Sequence, residues 1–251
     1  MQPGLEFFDP AHFARLYALE AGSFWFRGRS DLIEWMLRRH FPQARNLLEI
    51  GCGTGYVLKR LRDAFPGLSL HGTELFGEGL AYARERLGAA AVLQQMDATR
   101  LPFRDEFDVI GAFDVLEHIE DDRLVLANIH RALRADGGLL LTVPQHQWLW
   151  SQTDVAARHV RRYGRSDLCA KLADAGFEIL RATSFVTLLL PVLLLARRRR
   201  REGITEIESE LNLPAPANAI GYATLRFEAS FIRFGVSLPV GGSLLAVARK
   251  R

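Results

Sequence analysis

Leu47 to Leu61 reads LLEIGCGTGYVLKRL, an apolar run that stops at a turn with glycine at 51, 53 and 55 and then resumes with helical periodicity. The spacing predicts a strand over 47–50, a turn over 51–55 and a helix from Tyr56. Backbone N–H groups at the start of such a helix lack intrahelical partners and face whatever lies beyond the strand. Glycine is required where the chain turns tightly and where a Cβ would block a ligand resting on the backbone.

Further short apolar runs follow on the same plan. SLHGTEL, AVLQQMD, FDVIGAFD and GGLLLTVP have strand length, whereas YVLKRLRDAF, GEGLAYARERLG and DDRLVLANIHRALRADGG carry apolar residues at three-and-four spacing. Gly137 reads as the stop of the last of these helices. Strand and helix alternating in this way imply an α/β fold with a doubly wound, mostly parallel sheet, whose ligands lie beyond the carboxyl ends of the strands. Residues 1–40, rich in aromatics (SFWFRGRSDLIEWMLRRHF), are too short for a separate domain and read as an N-terminal helical cap.

Composition narrows the class. The chain has 251 residues, 49% hydrophobic and 24% charged, as expected of a globular protein. A net charge of +3 is too small to point to nucleic acid. The first ten residues, MQPGLEFFDP, show neither a basic nor an apolar signal region. Cys52 and Cys169 form no disulfide or zinc pattern, which fits a reducing cytoplasm.

The glycine spacing separates two ligand classes. A dinucleotide fingerprint has glycine or alanine at the sixth position of GxGxxG, and Tyr56 stands there. GxGxG with Glu49 ahead of it resembles motif I of the class I S-adenosylmethionine-dependent methyltransferases, of the type 11 or 12 kind. Glu74 ends the second strand, Asp97 the third, and Asp114 opens DVLEHIED, similar to the family's motif IV. The resemblance covers about residues 45–145. It implies S-adenosylmethionine as cofactor, a seven-stranded Rossmann-like sheet, and cofactor contacts from Glu49, Gly51, Cys52, Gly53, Gly55, Glu74, Leu75, Asp97, Ala98 and Asp114. Glu74 would take the ribose hydroxyls and Asp97 the adenine amino group. In FWFRGR, similar to the amino-terminal lid of this subgroup, Trp25 and Phe26 would exclude water and Arg29 would lie near the cofactor carboxylate.

The acceptor side carries weaker signals. Asp114, Glu117 and His118 would share a face if their segment is helical. In ubiquinone-pathway O-methyltransferases, which this stretch resembles, equivalent positions hold a divalent metal. The competing reading has Asp114 on the cofactor and Glu117 and His118 bracing the helix, and no metal is expected. His118 and His146 are the candidate catalytic bases. Asp154, His159 and Tyr163 are candidate acceptor contacts, and Arg161 and Arg162 could meet a phosphate. Ser166 reads as the cap of a helix that ends at Gly176.

The expected organisation is one methyltransferase domain over 1–251, with the cap at 1–40, a cofactor-binding core at 45–145, and an acceptor-side region at 146–251. EILRATSF and GSLLAVARK read as a final antiparallel pair of strands, interrupted by a helical insertion at about 185–235. Phe185 to Ala196 is too short to span a bilayer, and it is either an interfacial segment, aided by Arg197 to Arg201, or a core helix. ANAIGYATLRFEASFIRFGV reads as a second helix able to cover it. The function expected is methyl transfer to a small-molecule acceptor, such as a sugar or lipid-linked intermediate, by a cytoplasmic protein with peripheral membrane contact through residues 185–201. The alternatives are a noncatalytic nucleotide-binding or membrane-adaptor protein on the same fold, and an NAD-dependent oxidoreductase, which Tyr56 disfavours.

Overall fold

The computed structural model describes residues 11–199 and 213–251. The first ten residues, and Arg200 and Arg201 of the arginine run, lie outside them. The chain opens with helices α1 (Ala11–Leu19) and α2 (Phe24–His40), then alternates β1 (Asn46–Ile50), α3 (Tyr56–Ala64), β2 (Ser69–Glu74), α4 (Gly77–Leu87), β3 (Ala91–Gln95), β4 (Phe107–Phe113), α5 (Asp122–Ala132) and β5 (Leu133–Pro144). It continues through α6 (Gln152–Ala156), α7 (Arg165–Asp174), β6 (Phe177–Phe185), α8 (Leu190–Arg199), α9 (Ala215–Arg233) and β7 (Ser243–Lys250).

The seven strands form one sheet in the order β3-β2-β1-β4-β5-β7-β6. The first five run parallel, and β7 lies antiparallel between β5 and β6. This is the doubly wound, seven-stranded sheet expected from the sequence. The order reverses direction at β1 and β4, so a crevice opens beyond their carboxyl ends.

Strand alternation feeds two cores. Leu48, Ile50, Ile110 and Ala112 point to one face and pack with Val125, Leu126 and Ile129 of α5 and Leu168 and Leu172 of α7. Leu47 and Val109 point to the other, against Ile33, Met36 and Leu37 of α2, Leu58 and Leu61 of α3, Leu80 of α4 and Leu225 and Ile232 of α9. Nearly all these side chains are out of water, and each contributes on the order of 1.5–3 kcal/mol through burial.

Four local expectations are corrected. The helix α5 ends at Ala132, not Gly137, because Leu133 already pairs with Phe107 as the first residue of β5. The pairing then jumps to Gly138 opposite Val109, so residues 134–137 bulge out of the sheet with Asp136 at φ 61°. The cap position of α7 is Gly164, which leaves Ser166 exposed inside the first turn. Phe185 to Ala196 is not one helix: Phe185 ends β6, Val186 turns the chain at φ 60°, and α8 starts at Leu190.

The fourth correction concerns α9, which packs on the cap rather than serving as a cover for α8. Tyr222 Oη donates to Asp31 at 2.6 Å, Asn218 Oδ1 accepts from Phe24 N at 3.0 Å, and Arg27 lies over the Tyr222 ring at 3.8 Å. The buried Glu228 carboxylate accepts from the amides of Thr187 and Leu188 at 2.7 and 2.8 Å, fixing the approach to α8.

The α2–α9 contact is close enough to test. A Cβ on Gly221 would come within 2.8 Å of the Phe24 ring, whereas one on Gly67 would meet nothing within 4 Å. Gly221→Leu is therefore expected to cost about 1–3 kcal/mol through overpacking, and Gly67→Ala to leave thermal unfolding near wild type. Circular dichroism melts of the two variants check this, and equal midpoints would show that α9 does not press on α2.

Candidate functional site

The glycine turn after β1 is held from several sides. Cys52 N donates to Thr73 O at 2.9 Å and Gly55 N to Cys52 O at 2.8 Å. The Glu74 carboxylate, at the end of β2, accepts from Gly53 N at 2.9 Å and from Phe76 N at 3.1 Å. Gly51 has φ 65°, and a Cβ there would strike Val115 at 2.6 Å. Gly53 has φ 52° and faces open space, since a Cβ would meet nothing within 4 Å. The chain thus presents bare backbone to open space, as a cradle for a ligand requires.

Around this turn the strand ends assemble most of the expected residues. Glu49 is buried in β1, Glu74 is buried, Leu75 is exposed beside it, and Ala98 is buried after β3. Asp97 folds back on its own loop: its Oδ1 accepts from Thr99 N at 2.8 Å and Thr99 Oγ1 at 2.7 Å. Asp114, at φ 59° after β4, pairs with the Arg29 guanidinium and accepts from Thr142 Oγ1 at 3.1 Å. Arg29 also lies over the Trp25 ring at 4.3 Å and near Phe26 at 5.3 Å, and Phe26 meets Tyr56 edge to face at 6.0 Å. The FWFR segment of α2 therefore closes against the first residue of α3.

The other cap helix reaches the same turn. Glu20 accepts from Thr54 Oγ1 at 2.6 Å and pairs with Arg86 of α4, whose guanidinium also donates to Thr54 O at 3.0 Å. Neither Glu20 nor Arg86 stood out in the sequence, because their partners lie more than thirty residues away.

The buried carboxylates carry an electrostatic burden. Desolvation pushes Glu49 up to about 8, with the nearby Arg29 opposing and Glu74 and Glu20 adding to the shift. Burial also raises Glu74, against the amides of Phe76 and Gly53 that hold its charge. Cys52 is raised well above its ordinary value by burial and by Glu49 and Glu74, so it sits as an inert thiol.

On the acceptor side the expected single face of Asp114, Glu117 and His118 does not form. Leu116–His118 is a single 3-10 turn, and the left-handed Asp114 sends its carboxylate to Arg29 instead. Glu117 and His118 meet His159: Glu117 Oε1 is 4.0 Å from His159 Nε2, and the two imidazole rings are 4.8 Å apart, edge to face. His118 is shifted downward, by desolvation on its hemmed-in side first and by His159 second. His146, at φ 63°, stacks on Trp148 at 5.3 Å, and burial followed by Arg162 and Arg165 lowers it too. Both are neutral imidazoles near pH 7.

Four acceptor-side residues are otherwise engaged. Asp154 is fully buried and binds His159 Nδ1 at 2.8 Å, Arg162 Nε at 2.7 Å and Ser151 N at 2.8 Å; burial opposes its charge, but these donors hold its carboxyl well below the usual range. Tyr163, also fully buried, donates to Asp122 at 2.7 Å, and Arg161 and Lys171 reach the same carboxylate at 3.0 and 2.7 Å. Tyr163, Arg161 and Arg162 thus brace the wall, which corrects the expectation that they contact acceptor or phosphate. Among the described residues, no helix is long and apolar enough to cross a membrane.

Comparison with known proteins places these features. A model described as a methyltransferase domain matches residues 19–182. A Mycobacterium tuberculosis protein described as a probable S-adenosylmethionine-dependent methyltransferase is 28% identical over 162 residues, which is 63% of this chain and 57% of that one. The malonyl-acyl-carrier-protein O-methyltransferase of Bacillus anthracis is 31% identical over 45% of this chain and 42% of its own. The chain spans little more than half the length of the mycobacterial relative. Among solved structures, Haemonchus contortus phosphoethanolamine N-methyltransferase 2 in complex with S-adenosyl-L-methionine superposes with a TM-score of 0.60 at 22% identity, over 86% of this chain and 51% of that one. That likeness shows the fold.

The Glu49 shift has a measurable sign. Its folded value of about 8 exceeds its ordinary 4.5, so the folded state keeps a proton that the unfolded chain releases. Its contribution is intact below about 4.5 and is lost as pH rises through about 8. Urea unfolding of wild type and Glu49→Gln at pH 5 and pH 8 is expected to show the wild type losing more than about 1 kcal/mol relative to the variant. Parallel behaviour would mean that Glu49 is ionised in the fold.

Proposed function

Because the chain belongs to the class I S-adenosylmethionine-dependent methyltransferase family, its residues 19–182 matching the methyltransferase domain, we propose that it transfers the methyl group of S-adenosylmethionine to a small-molecule acceptor. The observation that carries this reading is the turn at Gly53, where bare backbone faces open space and the amide is held by the Glu74 carboxylate. A dinucleotide pyrophosphate would meet that carboxylate as a like charge, whereas ribose hydroxyls would donate to it.

In this reading Gly51, Cys52, Gly53 and Gly55 supply the backbone cradle, and Glu74 and Leu75 bind the ribose. Asp97 accepts from the adenine amino group through Oδ2, with Ala98 beside it. Glu49 and Asp114 face the cationic methionine part, and Arg29, already seated on Asp114, takes its carboxylate. The cofactor supplies an activated methyl group on sulfur. The chain's part is to place the acceptor in line with it, exclude water through Trp25 and Phe26, and take up a proton where the acceptor carries one. His118 and His146, both neutral, are the bases proposed for that proton. The whole chain acts as one unit of cap, core and acceptor-side wall.

Exposed apolar side chains favour a lipid-linked acceptor over a freely soluble sugar. Leu188, Val192 and Leu195 around α8, and Phe227, Phe231 and Phe234 of α9, stand in solvent. Such aromatics gain free energy at a lipid interface. Flotation with anionic vesicles at low salt is expected to carry part of the protein upward and to lose it as salt rises. Protein that stays entirely in the soluble fraction would return the soluble metabolite to first place.

Cofactor binding tests the central claim. S-adenosylmethionine or its demethylated product is expected to bind in the micromolar range, about −8 kcal/mol. Glu74→Ala should weaken binding by about 1.5–3 kcal/mol, and Gly53→Val, whose side chain would occupy the cradle, should abolish it. Titration calorimetry on folded variants checks this. Undiminished affinity in Gly53→Val would place the ligand elsewhere, and heat with NAD in place of the methyl donor would overturn the reading.

A further inference from the structure

We infer that Glu117, His118 and His159 form a binding site for a divalent first-row transition metal ion. No metal is expected from the sequence, and the trio differs from the set that the resemblance to ubiquinone-pathway O-methyltransferases offers, since Asp114 is committed to Arg29 and Thr142, and His159 comes from a different segment of the chain.

The first observation is an unmet need. Glu117 is wholly buried, yet neither carboxylate oxygen has a hydrogen-bond partner. A buried carboxylate in that state costs several kcal/mol unless a cation or a proton answers it. Arg29 and Arg162 are paired with Asp114 and Asp154. What does lie beside Glu117 is a pair of imidazoles.

The second observation is how those imidazoles are held. Asp154 Oδ1 lies 2.8 Å from His159 Nδ1, which turns the ring so that Nε2 faces Glu117, 4.0 Å away. Asp154 is itself fixed by Arg162 and by the Ser151 amide. A carboxylate orienting a histidine whose other nitrogen faces an anion is the outer-shell arrangement of metal-bound histidines. The backbone clamps the same geometry, since Val160 N donates to Glu117 O at 2.7 Å.

One donor atom from each of the three residues lies within 4.8 Å of the others. Ligands about 2.1 Å from a shared ion stand roughly 3–4 Å apart, so binding draws the trio together slightly. His118 is the solvent-exposed member of the three. Two imidazoles and one carboxylate suit zinc, iron, cobalt or manganese better than calcium or magnesium, which prefer all-oxygen shells. Three protein ligands leave further coordination positions open on the side of His118. A part in methyl transfer, as a seat for an acceptor oxygen with His146 then left as the base, rests on the proposed function; the binding of the ion does not.

The test uses untagged full-length protein stripped with chelator and titrated with cobalt(II), whose visible absorption reports nitrogen ligation, and then with zinc in competition. One ion per chain is expected, with affinity lowered at least tenfold in His118→Ala and in His159→Ala, and unchanged in His40→Ala at the far end of α2. His159→Ala should still bind S-adenosylhomocysteine, so loss of metal and loss of cofactor are read separately. Absence of saturable uptake, or uptake that survives both histidine substitutions as adventitious binding would, overturns the inference. Loss of uptake in Asp114→Asn with retention in His159→Ala would overturn it in favour of a set made of Asp114, Glu117 and His118.

Discussion

A guanidinium withdrawn from water must find an anion, and in this molecule that requirement couples the cap to the sheet. Arg29 is almost fully buried and meets Asp114 beyond β4, where the left-handed backbone and the Thr142 hydroxyl aim the carboxylate. Breaking such a pair strands a charge, at a cost of about 3–5 kcal/mol. Trp25 and Phe26 lie against the guanidinium, so their placement follows from its pairing. Glu20 and Arg86 repeat the device at Thr54. The cap is therefore positioned by ion pairs at the site itself as well as by its apolar face.

The same region concentrates carboxylates where water is scarce. Glu49, Glu74 and Glu117 are all buried, and desolvation raises the pKa of each. They differ in how their charge is answered. Glu74 has backbone amides, Glu49 has the charge of Arg29, and Glu117 has no hydrogen-bond donor. Preorganised acidic groups of this kind cost stability in the free fold and favour cationic ligands without further rearrangement.

The sheet was legible because its signals are local. Period-two and period-3.6 patterns over 46–113 place six elements within a residue or two, and the glycine turn identifies the ligand-facing edge. The errors arose where a strong local signal met a stronger tertiary one. Gly137 looks like a helix stop, but pairing of Leu133 with Phe107 ends the helix five residues earlier. Ser166 looks like a cap, but the turn at Gly164 starts the helix first. The meeting of Glu117 with His159 and the Asp122, Tyr163 and Lys171 network had no sequence signature, because their members are dozens of residues apart and each is ordinary alone.

The place of β7 has a consequence for how the chain reaches this state. Among the described residues, β6 is hydrogen-bonded in the sheet to β7 alone, and β7 also completes the free edge of β5. On a ribosome, five parallel strands can pair as they emerge, while β6 waits with both edges bare until residues 243–250 arrive. The cap waits as well, since the α9 surface that covers Phe24 and Gly28 emerges nearly two hundred residues after them. Closure of such distant contacts is slow, and an unpaired strand edge invites association with other chains in the interval. The finished sheet pairs β5 and one edge of β6, but the nascent one carries both bare for most of its synthesis.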